Sequence, residues 1–117
     1  RVLELPGGGI APTEDPLAAA QRELLEETGY TAPKWQPLGA YTVDANRDYG
    51  RCYGYLAWHA QQSAEPDDMD LGQGRVVRLR PDDLRRRWLA GDFPVLPSTA
   101  IIGLALAHLD KRTFESS

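Results

Sequence analysis

The chain has little of what staples or anchors many small proteins. One of its 117 residues is cysteine, Cys52, so no disulfide can close within it; this composition suits a reducing compartment and predicts a cytoplasmic setting. The two histidines, His59 and His108, do not group with Cys52 at zinc-ligand spacing, which argues against a zinc site. Long apolar runs are missing as well. The longest, AIIGLALAHL at 100–109, is about half of what a bilayer span requires and reads as a buried helix, so no membrane partner is expected. Nor is there a basic excess: 13 Lys and Arg against 17 Asp and Glu leave a net charge of −4 and a pI near 5.1. A domain that binds nucleic acid by neutralising phosphate normally carries a basic face, so no nucleic-acid partner is expected. Small anionic ligands stay open if a metal ion or local arginines balance their charge. Signal-peptide pattern, internal repeat and low-complexity tract are all absent. The opening RVLELP has neither methionine nor polar lead-in, and the native polypeptide is expected to have a segment before it.

What is present reads as one domain, long enough to bury roughly two thirds of the surface its unfolded chain would expose. Val2 to Leu5 alternates apolar and charged residues up to Pro6, the pattern of a short strand, and Gly7, Gly8 and Gly9 break it. Asp15 before Pro16 predicts a capped helix that runs to Thr28 and stops at Gly29. Leu17, Ala18, Ala20, Leu24 and Leu25 share one face, expected in the core, while Glu23, Glu26 and Glu27 occupy an arc of about 100° facing away. Residues 35–43 and 52–60 read as strands of a long hairpin joined by DANRDYGR. After the acidic segment SAEPDDMDLGQG, GRVVRLR alternates like a strand. A short helix is expected from Pro81, where Arg85, Arg86 and Arg87 read as a solvated face. The last helix, from Pro97 or Ser98 to about Lys111, is apolar nearly all round and is expected between layers. Strands mixed with helices in this order predict an α+β domain of α-β-α layers.

The carboxylates of the first helix pose the chemical question. Like charges at helical spacing repel by a few tenths of a kcal/mol per pair, so a helix that keeps them together either solvates a face or holds something positive. Glu23, Glu26 and Glu27 stand at i, i+3 and i+4, converging within one turn. Hard oxygen ligands grouped so suit Mg²⁺, which takes one or two carboxylates and keeps its other positions for water and phosphate oxygens. The glycine run ahead of them permits a tight loop whose backbone could approach the same ion.

The full spacing is Gly8, five residues, Glu14, seven residues, Arg22-Glu23-Leu24, one residue, Glu26-Glu27, one residue, Gly29-Tyr30. This resembles the Nudix box, the signature of hydrolases that cleave nucleoside diphosphates linked to another group. With Gly at ~7% and each charged type at ~6% of average usage, a chance match has odds on the order of 10⁻⁷, too low for a merely solvated face. The resemblance implies a Nudix-type α-β-α sandwich around a mixed β-sheet, one domain over 1–117, with strands before the box that this chain contains only as RVLELP. An open sheet edge would invite pairing, so a homodimer is allowed for. It also implies catalysis by Glu23, Glu26, Glu27 and Arg22, with Arg22 and Glu14 pairing with box carboxylates and pinning the loop to the helix. Metal would be held by Glu23, Glu26, Glu27 and a carbonyl at Gly8 or Gly9, with Glu14 and Gly9 supporting the loop. The cofactor would be Mg²⁺, or Mn²⁺ in its place.

The flanks ELPGG and TAPKWQPLGAY resemble the ADP-ribose and nucleotide-sugar pyrophosphatase branch. Two features depart from it: DANRDYGR stands where a proline-bearing loop is usual, and LGQG puts Gln73 where a catalytic glutamate often precedes the late strand. Glu65, Asp67, Asp68 and Asp70 are then the candidates for accepting the attacking water's proton, Asp70 foremost, with Glu27 or Glu23 as the alternative. Arg47 and Arg51 could grip a phosphate or ribose, and Tyr41, among the hairpin tyrosines, could stack a base. Trp35, Trp58 and Trp88 read as packing. Two further readings stay open beside the small-molecule nucleotide hydrolase: a non-catalytic domain that senses nucleotide or ADP-ribose, and a structural interaction module.

Overall fold

A computed structural model describes residues 3, 5, 6, 13–44, 49–65 and 75–116 of the chain. In order, the elements are α1 (Pro16–Thr28), β1 (Tyr30–Thr31), β2 (Lys34–Asp44), β3 (Tyr49–Trp58), β4 (Gln61–Gln62), α2 (Pro81–Leu89) and α3 (Leu96–Ser116). Three helices beside small two-stranded sheets, β1 with β4 and β2 with β3, make the α+β class expected from the sequence. The chain gathers into two compact units. One contains Arg1–Leu5, Leu38–Gly54 and Arg78–Ser117, the other Pro6–Pro37 and Tyr55–Val77, so β2 and β3 each contribute residues to both.

The unit built on α1 forms around its helix ends. The Asp15 carboxylate accepts from the Leu17 and Ala18 N–H groups at 3.1 and 3.2 Å, and Pro16 follows at the first helical position. Such a cap satisfies donors that the helix itself cannot, worth about 1 kcal/mol. Asp15→Ala is therefore expected to lower the thermal midpoint by roughly 5 °C, read by circular dichroism. Gly29 closes the helix in the left-handed region at φ 79°, its N–H donating to the Leu25 carbonyl at 2.8 Å. The Gly29 carbonyl then accepts from Ser63 and Ala64 N–H at 2.8 and 3.0 Å. Beside that contact β1 and β4 pair antiparallel, Tyr30 with Gln62 and Thr31 with Gln61, and the Thr31 and Ser63 hydroxyls meet at 2.6 Å. Trp35 stands edge-on to Tyr55, and the Trp58 indole N–H donates to the Gln36 amide oxygen at 3.0 Å.

The facing of α1 differs from the sequence expectation. Its buried residue is Ala19, while Leu25 is 39% exposed. The Glu23 side chain is only 15% exposed. Glu23, on the acidic side of the helix, is thus more enclosed than Leu25 on its leucine side. An ion pair explains how this is tolerated, because a neighbouring guanidinium offsets the cost of removing a carboxylate from water.

In the second unit Phe93, Ile102 and Leu106 form a buried cluster, with Leu3, Leu5, Leu84, Trp88 and Leu109 packed against it. Leu3 and Leu5 are not in a strand, although the Leu3 N–H does donate to the Asp92 carbonyl at 3.1 Å. The Trp88 indole N–H donates to the Thr99 carbonyl at 2.8 Å, tying α2 to the first turn of α3. On α2 each arginine finds an acid: Arg85 with Asp82 and Asp110, Arg86 with Asp83, Arg87 with Asp92. Their charge is balanced within the unit. In α3 Ile101, Ile102 and Leu106 are buried, but Ala100 and Ala107 are exposed, so the helix is not covered on every side. Residues 75–80 also depart from expectation. They take no regular strand conformation, and Val76 and Val77 are 40% and 44% exposed. Alternation marks a strand's two faces, but a strand also needs a ladder partner. Among the described residues, no helix is long and apolar enough to cross a membrane.

Candidate active site

The site is built on α1 and the residue just before its cap. Arg22 reaches back across the first turns to Glu14, placing Nε 2.8 Å from one carboxylate oxygen and Nη2 2.9 Å from the other. Two parallel N–H donors on two oxygens make a fork that fixes the plane of both groups. The same guanidinium turns Nη1 toward the next helical turn, 3.1 Å from Glu23 and 3.3 Å from Glu26. One cation therefore gathers three carboxylates, and the Arg22 side chain remains 39% exposed while Glu14 is 19% exposed. The hydrogen bonding that Arg22 donates to Glu14 raises the Arg22 pKa above its ordinary value; desolvation opposes this, and the charges of Glu14, Glu23 and Glu26 reinforce it. Arg22 stays cationic at every pH the protein will meet.

Glu27 lies half-buried on the last turn of the same helix and has interactions of its own. Four of the residues singled out from the sequence, Glu14, Arg22, Glu23 and Glu26, thus meet in one cluster. Tyr41 and Arg51 belong to the unit of α2 and α3; the Tyr41 hydroxyl donates to the Leu38 carbonyl at 2.8 Å, and Arg51 lies 6.0 Å from the centre of the Tyr53 ring. Glu65 is exposed, just after the Gly29 contact. Gly7, Gly8, Gly9, Arg47, Asp67, Asp68, Asp70 and Gln73 lie outside the described residues.

Among the described residues, no three or more His, Cys, Asp or Glu side chains are arranged to hold a metal ion. That is no obstacle to Mg²⁺, which binds through one or two carboxylates plus water and phosphate rather than in an all-protein cage. The donor set here, hard carboxylate oxygens on successive turns with Arg22 holding two of them, suits such an ion.

Sequence reasoning missed a groove on the flank of α1. It is about 330 Å³ in volume and is lined by Gln21, Arg22, Leu25, Thr31, Ala32 and Trp35. Its two large apolar members were assigned to packing, Leu25 by helical periodicity and Trp35 by residue type. The available signal was the glutamine at Gln21, a polar neighbour one turn before Leu25 on the supposed core face.

Carboxylates gathered by one arginine on a capped helix offer the hard oxygen donors that a divalent cation takes. The family-level match agrees: the NUDIX domain model covers residues 1–98, and the chain belongs to that family. The match takes in parts of both compact units. A relative from Bacillus subtilis (strain 168), described as "Putative 8-oxo-dGTP diphosphatase", is 50% identical over 38 residues. Those residues are 32% of this chain and 26% of that protein, so the chain spans about a quarter of the length of the relative it matches.

Proposed function

We propose that this chain is a Nudix pyrophosphohydrolase that splits the diphosphate of a nucleoside diphosphate linked to another group. The products are a nucleoside monophosphate and a phosphorylated remainder. The observation that carries this reading is the Arg22 cluster, in which Glu14, Glu23 and Glu26 occupy family-box positions and are held by one guanidinium at 2.8–3.3 Å. Enzymes of the family generally use divalent metal ions, and Glu23, Glu26 and Glu27 would hold one here, Mg²⁺ or Mn²⁺, with a carbonyl at Gly8. When bound, the cation supplies Lewis acidity toward the phosphate oxygens.

The chain's own residues do the rest. Water attacks one phosphorus, the bridging P–O bond breaks, and the water's proton passes to a carboxylate, assigned here to Glu27. Arg22 orients Glu23 and Glu26 so that their oxygens need no reorganisation as charge shifts in the transition state. Glu14 acts at one remove, holding Arg22.

For the substrate we favour ADP-ribose or a nucleotide sugar, because the residues flanking the box resemble that branch. A second reading, 8-oxo-dGTP as substrate, is favoured by the description of the Bacillus relative as a "Putative 8-oxo-dGTP diphosphatase". Assaying ADP-ribose, nucleotide sugars and 8-oxo-dGTP with Mg²⁺ and with Mn²⁺ decides between them. Activity should disappear with a chelator and return with either ion. Binding without turnover across the whole panel would instead make the chain a ligand sensor.

A further inference from the structure

We propose that the groove beside α1 is the subsite for the nucleobase, holding a planar aromatic ring between Leu25 and Trp35. This rests on the hydrolase reading above and extends it to the part of the substrate that does not react. Leu25 is 39% exposed, which leaves an apolar side chain uncovered beside an aromatic one. The Trp35 indole N–H is already taken by the Ala32 carbonyl at 3.0 Å, so toward a ligand Trp35 offers carbon and π surface. Gln21 adds an exposed amide that can both donate and accept at the edge of a ring. A volume of about 330 Å³ lies at the small end of ligand clefts, the scale of a single ring system rather than a whole dinucleotide.

Charge decides which end of a nucleotide enters. Arg22 lines the groove, but it is already committed to Glu14, Glu23 and Glu26, so one positive charge stands among three negative ones. Engaged in this way, Arg22 offers the groove little positive charge for a phosphate, and the Leu25 and Trp35 walls suit a neutral ring. Because Arg22 belongs to both groove and carboxylate cluster, a ring lodged here would place the attached phosphates toward the carboxylates. Stacking on an aromatic face is tolerant of base identity, whereas the Gln21 amide can discriminate among ring edges.

The test follows the three tryptophan indole N–H signals by NMR while a nucleoside monophosphate is titrated, with Trp35 assigned through Trp35→Phe. Trp35 should shift, and Trp58 and Trp88 should not. In steady-state kinetics Trp35→Leu should raise KM roughly tenfold for nucleoside diphosphate derivatives. The same change should leave hydrolysis of a base-free diphosphate ester unaltered. Leu25→Ser, at a position already 39% exposed, should act in the same direction if Trp35→Leu fails to fold. An unmoved Trp35 signal with turnover intact overturns the subsite and spares the hydrolase reading. A Trp35 shift without turnover of any substrate keeps the groove as a nucleotide site and overturns the hydrolase.

Discussion

Replacing Glu27 with glutamine is expected to lower kcat by about 10²–10⁴-fold while the protein stays folded. The amide has the shape of the carboxylate but can neither accept the water's proton nor bring negative charge to a cation. Glu27 is half-buried near the C-terminus of α1, where an isosteric exchange removes little packing. Glu14→Gln provides the contrast. Its carboxylate takes both N–H donors of the Arg22 fork, and one oxygen of glutamine can still accept, so a smaller loss, about tenfold, is expected. Monophosphate release with saturating Mg²⁺, beside thermal midpoints for both variants, separates the two roles. Glu27→Gln turnover equal to the unaltered chain would remove Glu27 from the mechanism. A loss larger for Glu14→Gln than for Glu27→Gln would make Arg22 placement, rather than proton transfer, the limiting feature.

The helix that carries this chemistry was legible because its signals are local. Asp15, Pro16 and Gly29 each act within a turn of their own position, and α1 begins and ends where they place it. The long strands were legible to within a few residues, since aromatic and β-branched residues favour extended chain whatever the partner. What escaped depends on contacts distant in sequence. The β1–β4 ladder joins Tyr30 and Thr31 to Gln61 and Gln62, polar pairs with no periodicity to announce them. Residues 75–80 show the reverse error, since Val77 and Leu79 alternate properly but the segment has no regular strand structure. The site was half legible for the same reason. Spacing put Glu23, Glu26 and Glu27 on one face, and the family resemblance paired Arg22 with box carboxylates. Neither could show that Glu23 is more enclosed than Leu25, because that depends on Arg22 folding back eight residues to Glu14.

The largest effect on stability is expected from Gly29→Ala. At φ 79° an L-residue costs roughly 1–2 kcal/mol more than glycine. Space makes the change worse: a Cβ on Gly29 would collide with the Ala64 carbonyl oxygen, and that atom is backbone, unable to rotate away. Ala64 must then retreat, and with it go the Ser63 and Ala64 N–H bonds to the Gly29 carbonyl, each worth about 1 kcal/mol. Together these amount to about 3–4 kcal/mol, a large share of the stability of a chain this size, and a fall in thermal midpoint on the order of 15 °C. Ser63→Ala is the control, because it removes hydroxyl contacts alone, with Thr31 at 2.6 Å and with the Gln61 carbonyl at 3.5 Å, and should cost no more than about 1 kcal/mol. Thermal melts of both variants in one buffer make the comparison. If Gly29→Ala melts no lower than Ser63→Ala, the close approach of residues 63–64 to the end of α1 does not hold the unit together. If it melts far lower, the glycine of the box serves the fold as well as the site, since the turn it closes carries Glu26 and Glu27.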